Sequence, residues 1–332
     1  MRVAILFSLG LLLVGGIYLF NISSRDKYNI VELTDYSLKY DEPFLEAHLK
    51  PYYEFPSRYK EHSKDVSLEE IKLTLEETKP CLEEEDYKGD VESLREIIID
   101  SLNIGFLLEG LDSRALEVTT ISNKKRGGYS ERKLLFKDEN VGTFMVDLLI
   151  PDKKRDSYPA VMGFGGHGTT NEDFIDNMCG ADLAREGFIV IIPSMRAMLD
   201  FKTDFDVSIY LMRNGFTLMG LRVYEYLLAL KYLRYLKEVD NSRIGLMAHS
   251  GGGAIANLLI YIESGFKVLL RDYSSNYMSN TFKELHCETI PSLYPFHMII
   301  KSKDSAPLSI METLYGFKVK KESIIEFFRK NF

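Results

Sequence analysis

Cysteine is scarce in this 332-residue chain, which has only Cys81, Cys179 and Cys287. They are far apart, and no CxxC pair or histidine cluster accompanies them. That argues against a zinc site and leaves either one disulfide with a spare thiol or three free thiols. Long basic runs are missing too. Lys124-Lys125-Arg126 and Lys153-Lys154-Arg155 are short and read as solvated turns. With a net charge of −8 and a pI near 5.4, the chain lacks the electrostatic footprint of a nucleic-acid surface. There is no internal repeat and no low-complexity tract. Histidine is the absence with the largest consequence: the six are His48, His62, His167, His249, His286 and His297, and none follows.

What is present fits an ordinary globular protein. Hydrophobic residues make up 45% and charged residues 27%, enough apolar material for one medium-large domain with extensions. Residues 3–20 are apolar apart from Ser8 and three glycines, and Arg2 precedes them. The run is long enough to span a bilayer, which takes roughly 17–25 residues. It reads as a membrane anchor or a signal peptide. No Ala-x-Ala site follows it, and Val14-Gly15-Gly16 is a weak cleavage signal, so the expectation is an uncleaved anchor with the rest of the chain exported. Secretion after cleavage is the alternative.

The pass along the chain divides it into 1–24 (anchor or signal), 25–127 (an extended and helical N-terminal region) and 128–332 (the main domain). Within the second part, Ser67-Leu68-Glu69-Glu70 is a capping-box pattern, and Asp90 caps a helix through Val91, Leu94 and Ile98 that closes near Gly105. Glu83-Glu84-Glu85-Asp86 reads as a solvated face. From about residue 128, runs at 131–136 and 142–150 predict a hairpin. Short apolar runs at 160–164, 188–192, 243–248 and 267–270 predict buried strands, with a further candidate at 308–314. Between them, 172–186, 218–237, 254–262 and 323–330 carry helical patterns. Strands alternating with helices imply an α/β fold with a mostly parallel sheet covered on both faces.

Chemistry concentrates at Ala248-His249-Ser250-Gly251-Gly252-Gly253, between a predicted strand and a predicted helix. A strand, a sharp turn holding serine among small residues, then a helix is a nucleophile elbow. The turn lifts the hydroxyl clear of the sheet. Residues two positions either side must be small to clear the helix that follows, and Ala248 and Gly252 are. Ser250 then sits at a helix N-terminus, where the Gly251 N–H faces a developing oxyanion. A second donor belongs in the loop after an earlier strand. Gly163-Phe164-Gly165-Gly166-His167-Gly168 occupies that place, with Gly165 and Gly166 as the backbone donors and His167 shaping the loop.

Several segments in order extend the likeness. They are Tyr158-Pro159-Ala160-Val161 before the glycine loop, Glu186-Gly187-Phe188-Ile189-Val190 followed by Pro193 and Arg196, and residues 215–223. Next come Val239-Asp240-Asn241-Ser242-Arg243-Ile244-Gly245, then Ser250-Gly251-Gly252-Gly253, then His286-Cys287 with Pro291. Over roughly residues 90–317 the chain resembles the α/β-hydrolase branch that includes acetyl xylan esterases and dienelactone-hydrolase-like proteins. The resemblance implies a serine hydrolase acting on a small-molecule carboxylic ester, without metal or organic cofactor. It also implies an α/β-hydrolase fold with a shortened C-terminal part.

The chain departs from that pattern in four places. Alanine replaces the usual glycine at 248, Gly165 stands where histidine is common, and Ser194 where aspartate is common. No histidine follows a late strand at 308–314, and no carboxylate lies near Tyr315-Gly316-Phe317. Two assignments keep the order serine, acid, histidine. Asp272, at the end of the strand after the elbow helix, is the expected acid, with His286 as the base and His297 as its rival. Asp304 is a second acid candidate without a downstream histidine. The competing reading is a hydrolase scaffold without a complete triad that binds a ligand or partner.

Overall fold

The computed structural model describes residues 91–196, 201–272, 309–312 and 320–332. In chain order its elements are α1 (Val91–Leu102), α2 (Gly105–Leu108), β1 (Glu117–Arg126), β2 (Tyr129–Asp138), β3 (Gly142–Pro151), β4 (Tyr158–Phe164), α3 (Asn171–Asn177), α4 (Gly180–Glu186), β5 (Ile189–Pro193), α5 (Phe201–Arg213), α6 (Leu218–Tyr235), β6 (Val239–Ala248), α7 (Gly251–Ile262), β7 (Phe266–Arg271), β8 (Ser309–Glu312) and α8 (Lys321–Asn331). The strands form one sheet in the order β1-β2-β3-β5-β4-β6-β7-β8. β1, β2 and β3 run antiparallel to their neighbours, and β5, β4, β6, β7 and β8 run parallel. This is the expected α/β-hydrolase fold.

β4, β5 and β7 are buried along nearly their whole length because helices cover both faces, so they read as continuous apolar runs and not as alternating ones. β4 and β5 are buried at every position. Alternation survives in which layer each side chain joins. Ala160, Met162, Phe164, Ile189, Ile191, Leu246 and Ala248 pack in one layer with residues of α1, α2, α5, α6 and α7. Val161, Val190, Ile192, Met247 and Leu270 pack in the other with α3, α4 and α8. α8 comes close to the sheet at Gly245, where a Cβ would lie 2.8 Å from the Phe332 ring and 3.1 Å from Phe328.

Two expectations need correction. The helical pattern at 172–186 is two helices, α3 and α4, broken at Cys179, whose φ is 67°. The chain turns tightly there because the α4 start is pressed on α3: a Cβ on Gly180 would sit 3.0 Å from the Phe174 carbonyl oxygen. The sheet starts before residue 128, since β1 pairs with β2 from Glu117 to Arg126. β1 is largely exposed, with only Val118 and Ser122 sheltered in part, so it carries no apolar run to announce it. A bulge interrupts its register between Thr120 and Ser122. The predicted helix from Asp90 is α1, and its Leu94, Ile98 and Leu102 belong to the same core as the sheet. α5 was not foreseen, although Val207, Leu211 and Met212 bury one side of it.

Cys179 is buried as a free thiol, and burial pushes its pKa up to about 11. Cys81, Cys287, the 67–70 capping pattern and the apolar run at 3–20 lie outside the described residues. Among the described residues no helix is long and apolar enough to cross a membrane.

The closing helix gives a test of the second layer. Phe328 is fully buried and meets Phe188 edge-on at 6.2 Å between ring centroids. Phe328→Ala should cost about 3–5 kcal/mol by emptying that space. Urea unfolding should show the midpoint falling with the slope unchanged; a loss below about 1 kcal/mol would contradict the packing of α8 described here.

Candidate active site

The register of the parallel strands assembles the site. Phe164, Ala248 and Arg271 lie side by side at the C-terminal ends of β4, β6 and β7. One residue further on come Gly165, His249 and Asp272. The ladder continues into this row, with His249 N–H donating to the Phe164 carbonyl at 2.9 Å and Asp272 N–H to the Ala248 carbonyl at 3.2 Å. Ligand sites in open α/β sheets form at this edge of the strands.

Ser250 has φ 49° and ψ −122° immediately before α7. A non-glycine residue held in this sparsely populated region costs of order 1–3 kcal/mol and persists only where its surroundings enforce it. The enforcing contacts are visible. Gly252 and Gly253 donate N–H bonds back to the carbonyls of His249 and Ser250 at 2.9 and 2.8 Å. Asp272 Oδ1 accepts the Ser250 N–H at 2.9 Å. Asp272 Oδ2 accepts from His249 Nδ1 at 2.5 Å. Asp272 is 1% exposed and His249 6% exposed, so this pair works away from water. Ser250 itself is half-buried, and its Oγ has no hydrogen-bond partner among the described residues.

The glycine loop after β4 lies directly against the elbow. A Cβ on Gly166 would be 2.7 Å from Ser250 Cβ and 2.8 Å from His249 Cδ2. A Cβ on Gly252 would be 2.3 Å from the Gly165 carbonyl oxygen. The need for a small residue at 252 therefore comes from this loop, where the sequence reading looked to the helix after Ser250. Gly165 is different, since a Cβ there would make only ordinary contacts with Thr169. The loop turns through a Thr169 N–H bond to the Gly166 carbonyl at 3.0 Å and enters α3 through a capping box between Thr170 and Asp173. Gly251, the first residue of α7, presents an N–H that no carbonyl of its own helix can take.

Buried polar side chains hold the surrounding strand ends. The Tyr226 ring stacks on Phe164 at 4.1 Å, and its hydroxyl lies 3.2 Å from the Gly163 carbonyl and 3.3 Å from that of Pro193. Burial pushes its pKa far up, which keeps it a donor. Arg222 donates through Nε and Nη2 to the Arg196 carbonyl at 3.0 and 2.8 Å. Arg196 Nε donates to Glu225 at 2.7 Å. Burial pushes the Glu225 carboxyl up, and the Arg196 charge opposes that shift. Asn171 donates to Asp147, to the Ile192 carbonyl and to Ser194 Oγ at 2.8, 2.9 and 3.0 Å. Ser194, where the resemblance leads one to expect aspartate, thus holds the β5 exit to α3.

The described structure brings together Ser250, Gly251, Gly165, Gly166 and Asp272. His286, His297 and Asp304 lie outside the described residues. The sequence reading assigned no role to His249, which stands in the same row as Asp272, a pairing that only the strand register reveals.

A model of the dienelactone hydrolase family matches residues 146–281. Among curated proteins none matches the chain. Among solved structures, a protein of Bacteroides fragilis NCTC 9343 assigned as an acetyl xylan esterase superposes with a TM-score of 0.54 at 17% identity, covering 75% of this chain and 76% of its own. The methylesterase BT1017 superposes with a TM-score of 0.50 at 15% identity, over 86% of this chain and 67% of its own. The chain has the α/β-hydrolase fold, and its residues 146–281 match the model of the dienelactone hydrolase family.

Proposed function

We propose that this protein hydrolyses a small carboxylic ester, with Ser250 as the nucleophile. One observation carries the reading: the serine sits at φ 49°, ψ −122° between the end of a parallel strand and the start of α7, with the Gly166 backbone against it. Ser250 Oγ attacks the acyl carbon, and the N–H groups of Gly251 and of the Gly165–Gly166 segment receive the oxyanion. A histidine takes the serine proton and returns it to the leaving alcohol. His286 is the residue this reading assigns as base, with Asp272 as the acid. Asp272 is supported by its place against the elbow. The similarity to the dienelactone hydrolase family, and to proteins assigned as an acetyl xylan esterase and a methylesterase, supports an ester substrate. No metal or organic cofactor enters these steps. Residues 3–20 would tether the protein to a membrane with the hydrolase domain on the exported side; the support is the long apolar run and the weak cleavage signal.

A second reading, a binding scaffold without turnover, is favoured by the sequence after the late strand: no histidine follows His297, and Tyr315-Gly316-Phe317 carries no carboxylate. Labelling of Ser250 by a fluorophosphonate separates the two, because only a serine with a working base reacts.

Ser250→Ala should abolish hydrolysis of a short p-nitrophenyl ester while the melting temperature stays within a few degrees of wild type. Wild-type turnover in that variant would reject Ser250 as nucleophile. Gly166→Ala places a methyl on Ser250 and should lower kcat by about 10²–10³-fold, the usual scale for losing one oxyanion donor. For the N-terminus, cell fractionation should leave the chain in the membrane pellet with residues 3–20 attached. A soluble mature form beginning near Ile17 would establish a cleaved signal instead.

A further inference from the structure

We infer that His249 and Asp272 form a positioning pair that holds the strained Ser250 turn in its reactive conformation. This inference rests on the proposed role of Ser250 as nucleophile, and it gives a task to a histidine that the mechanism above does not use.

The argument starts from strain. Ser250 is one of three non-glycine residues with positive φ among the described residues, with Asn103 and Cys179. A turn of this kind relaxes unless something outside the turn holds it. The backbone bonds from Gly252 and Gly253 are local, and they would move with the turn. Asp272 is not local: it belongs to the end of β7, which the ladder fixes to β6. Its carboxylate accepts from the elbow twice, from the Ser250 N–H at 2.9 Å and from His249 Nδ1 at 2.5 Å. Since a carboxylate only accepts, the His249 proton sits on Nδ1.

The two bonds divide the work. The Ser250 amide bond sets the peptide plane entering the nucleophile. The His249 bond keeps the carboxylate from rotating away from that amide, because both oxygens are then occupied by the same turn. His249 is also hemmed in: its Cδ2 lies so close to Gly166 that a Cβ there would be 2.8 Å away, while its Nδ1 meets the Asp272 carboxylate. Moving His249 would therefore shift Ser250 and the Gly166 backbone together. A carboxylate has room for about four donors, so this task is compatible with Asp272 also orienting a base.

The discriminating variants are His249→Asn and His249→Gln. The asparagine amide can stand where Nδ1 stands and still donate to Asp272. The glutamine amide reaches toward the position of Nε2 and leaves the carboxylate unmet. Two readouts apply to the full-length protein: hydrogen exchange at the Ser250 amide, and kcat and KM on p-nitrophenyl acetate. For His249→Gln and His249→Ala we expect Ser250 exchange to quicken by about tenfold or more. We expect kcat to fall by about 10–100-fold with KM within about twofold, the pattern for a misaligned catalytic group. His249→Asn should restore both toward wild type. The inference is overturned if His249→Asn is as impaired as His249→Gln, which would mean that the other ring nitrogen matters. Wild-type exchange and wild-type kcat in His249→Gln would overturn it equally. If His249→Ala fails to fold, the bulkier glutamine variant carries the comparison. An inactive wild type would sink the proposed function, and the exchange data alone would then decide the role of the pair.

Discussion

The site depends on a backbone-to-backbone approach: the loop after β4 and the start of α7 touch with no side chain between them. Gly252 has no room for a Cβ because the Gly165 carbonyl oxygen would be 2.3 Å away, and Gly166 has none because Ser250 is there. The two segments come from neighbouring parallel strands whose ends are level at Phe164 and Ala248. Level strand ends and two missing side chains are together enough to bring the two backbone segments into contact beside Ser250. In the proposed mechanism the amides of these segments would need no reorganisation as charge develops, because they are held by the ends of the sheet.

Beneath this contact the core is unusually polar. Arg222, Glu225 and Asp272 are almost entirely buried, and Tyr226 is nearly so. Such groups are costly to bury and add little to stability over an apolar packing, but removing one partner leaves the other stranded, often at about 3–5 kcal/mol for an ion pair. Their partners here are largely carbonyls and side chains at strand exits: Gly163, Pro193, Arg196. The polar groups tie down the loops that the hydrophobic layers cannot hold, since strand exits have backbone carbonyls without ladder partners. Asn171 does the same on the other side of β5, joining Asp147, Ile192 and Ser194.

Much of this could be read in the sequence, for reasons that differ from element to element. β4 to β7 were legible because burial on both faces leaves a continuous apolar signature. The elbow was legible because its geometry tolerates few residue types. β1 was not, since an exposed strand at a sheet edge has no apolar period. The break between α3 and α4 was hidden because it lies in the backbone, where Cys179 takes a positive φ and Gly180 comes close to Phe174, while 172–186 keeps a helical pattern. That Gly166 and Ser250 come together was legible because two glycine-rich turns each follow a buried strand. The bond from His249 to Asp272 was missed because a histidine beside a serine has many uses, and only strand register shows which carboxylate it meets.

β1 ends the sheet with a strand that is solvated on both faces and carries Lys124, Lys125 and Arg126 near its end. Among the described residues no strand pairs with its outer side. An open strand edge is a template on which another chain can add and from which aggregates grow. Here the bulge between Thr120 and Ser122 breaks the template midway, and the basic end of the strand is held in ion pairs, Lys125 with Asp152 and Arg126 with Glu131. A strand added there would have to strip water from charged side chains along the edge, so the bulge and that desolvation, not net repulsion, guard it.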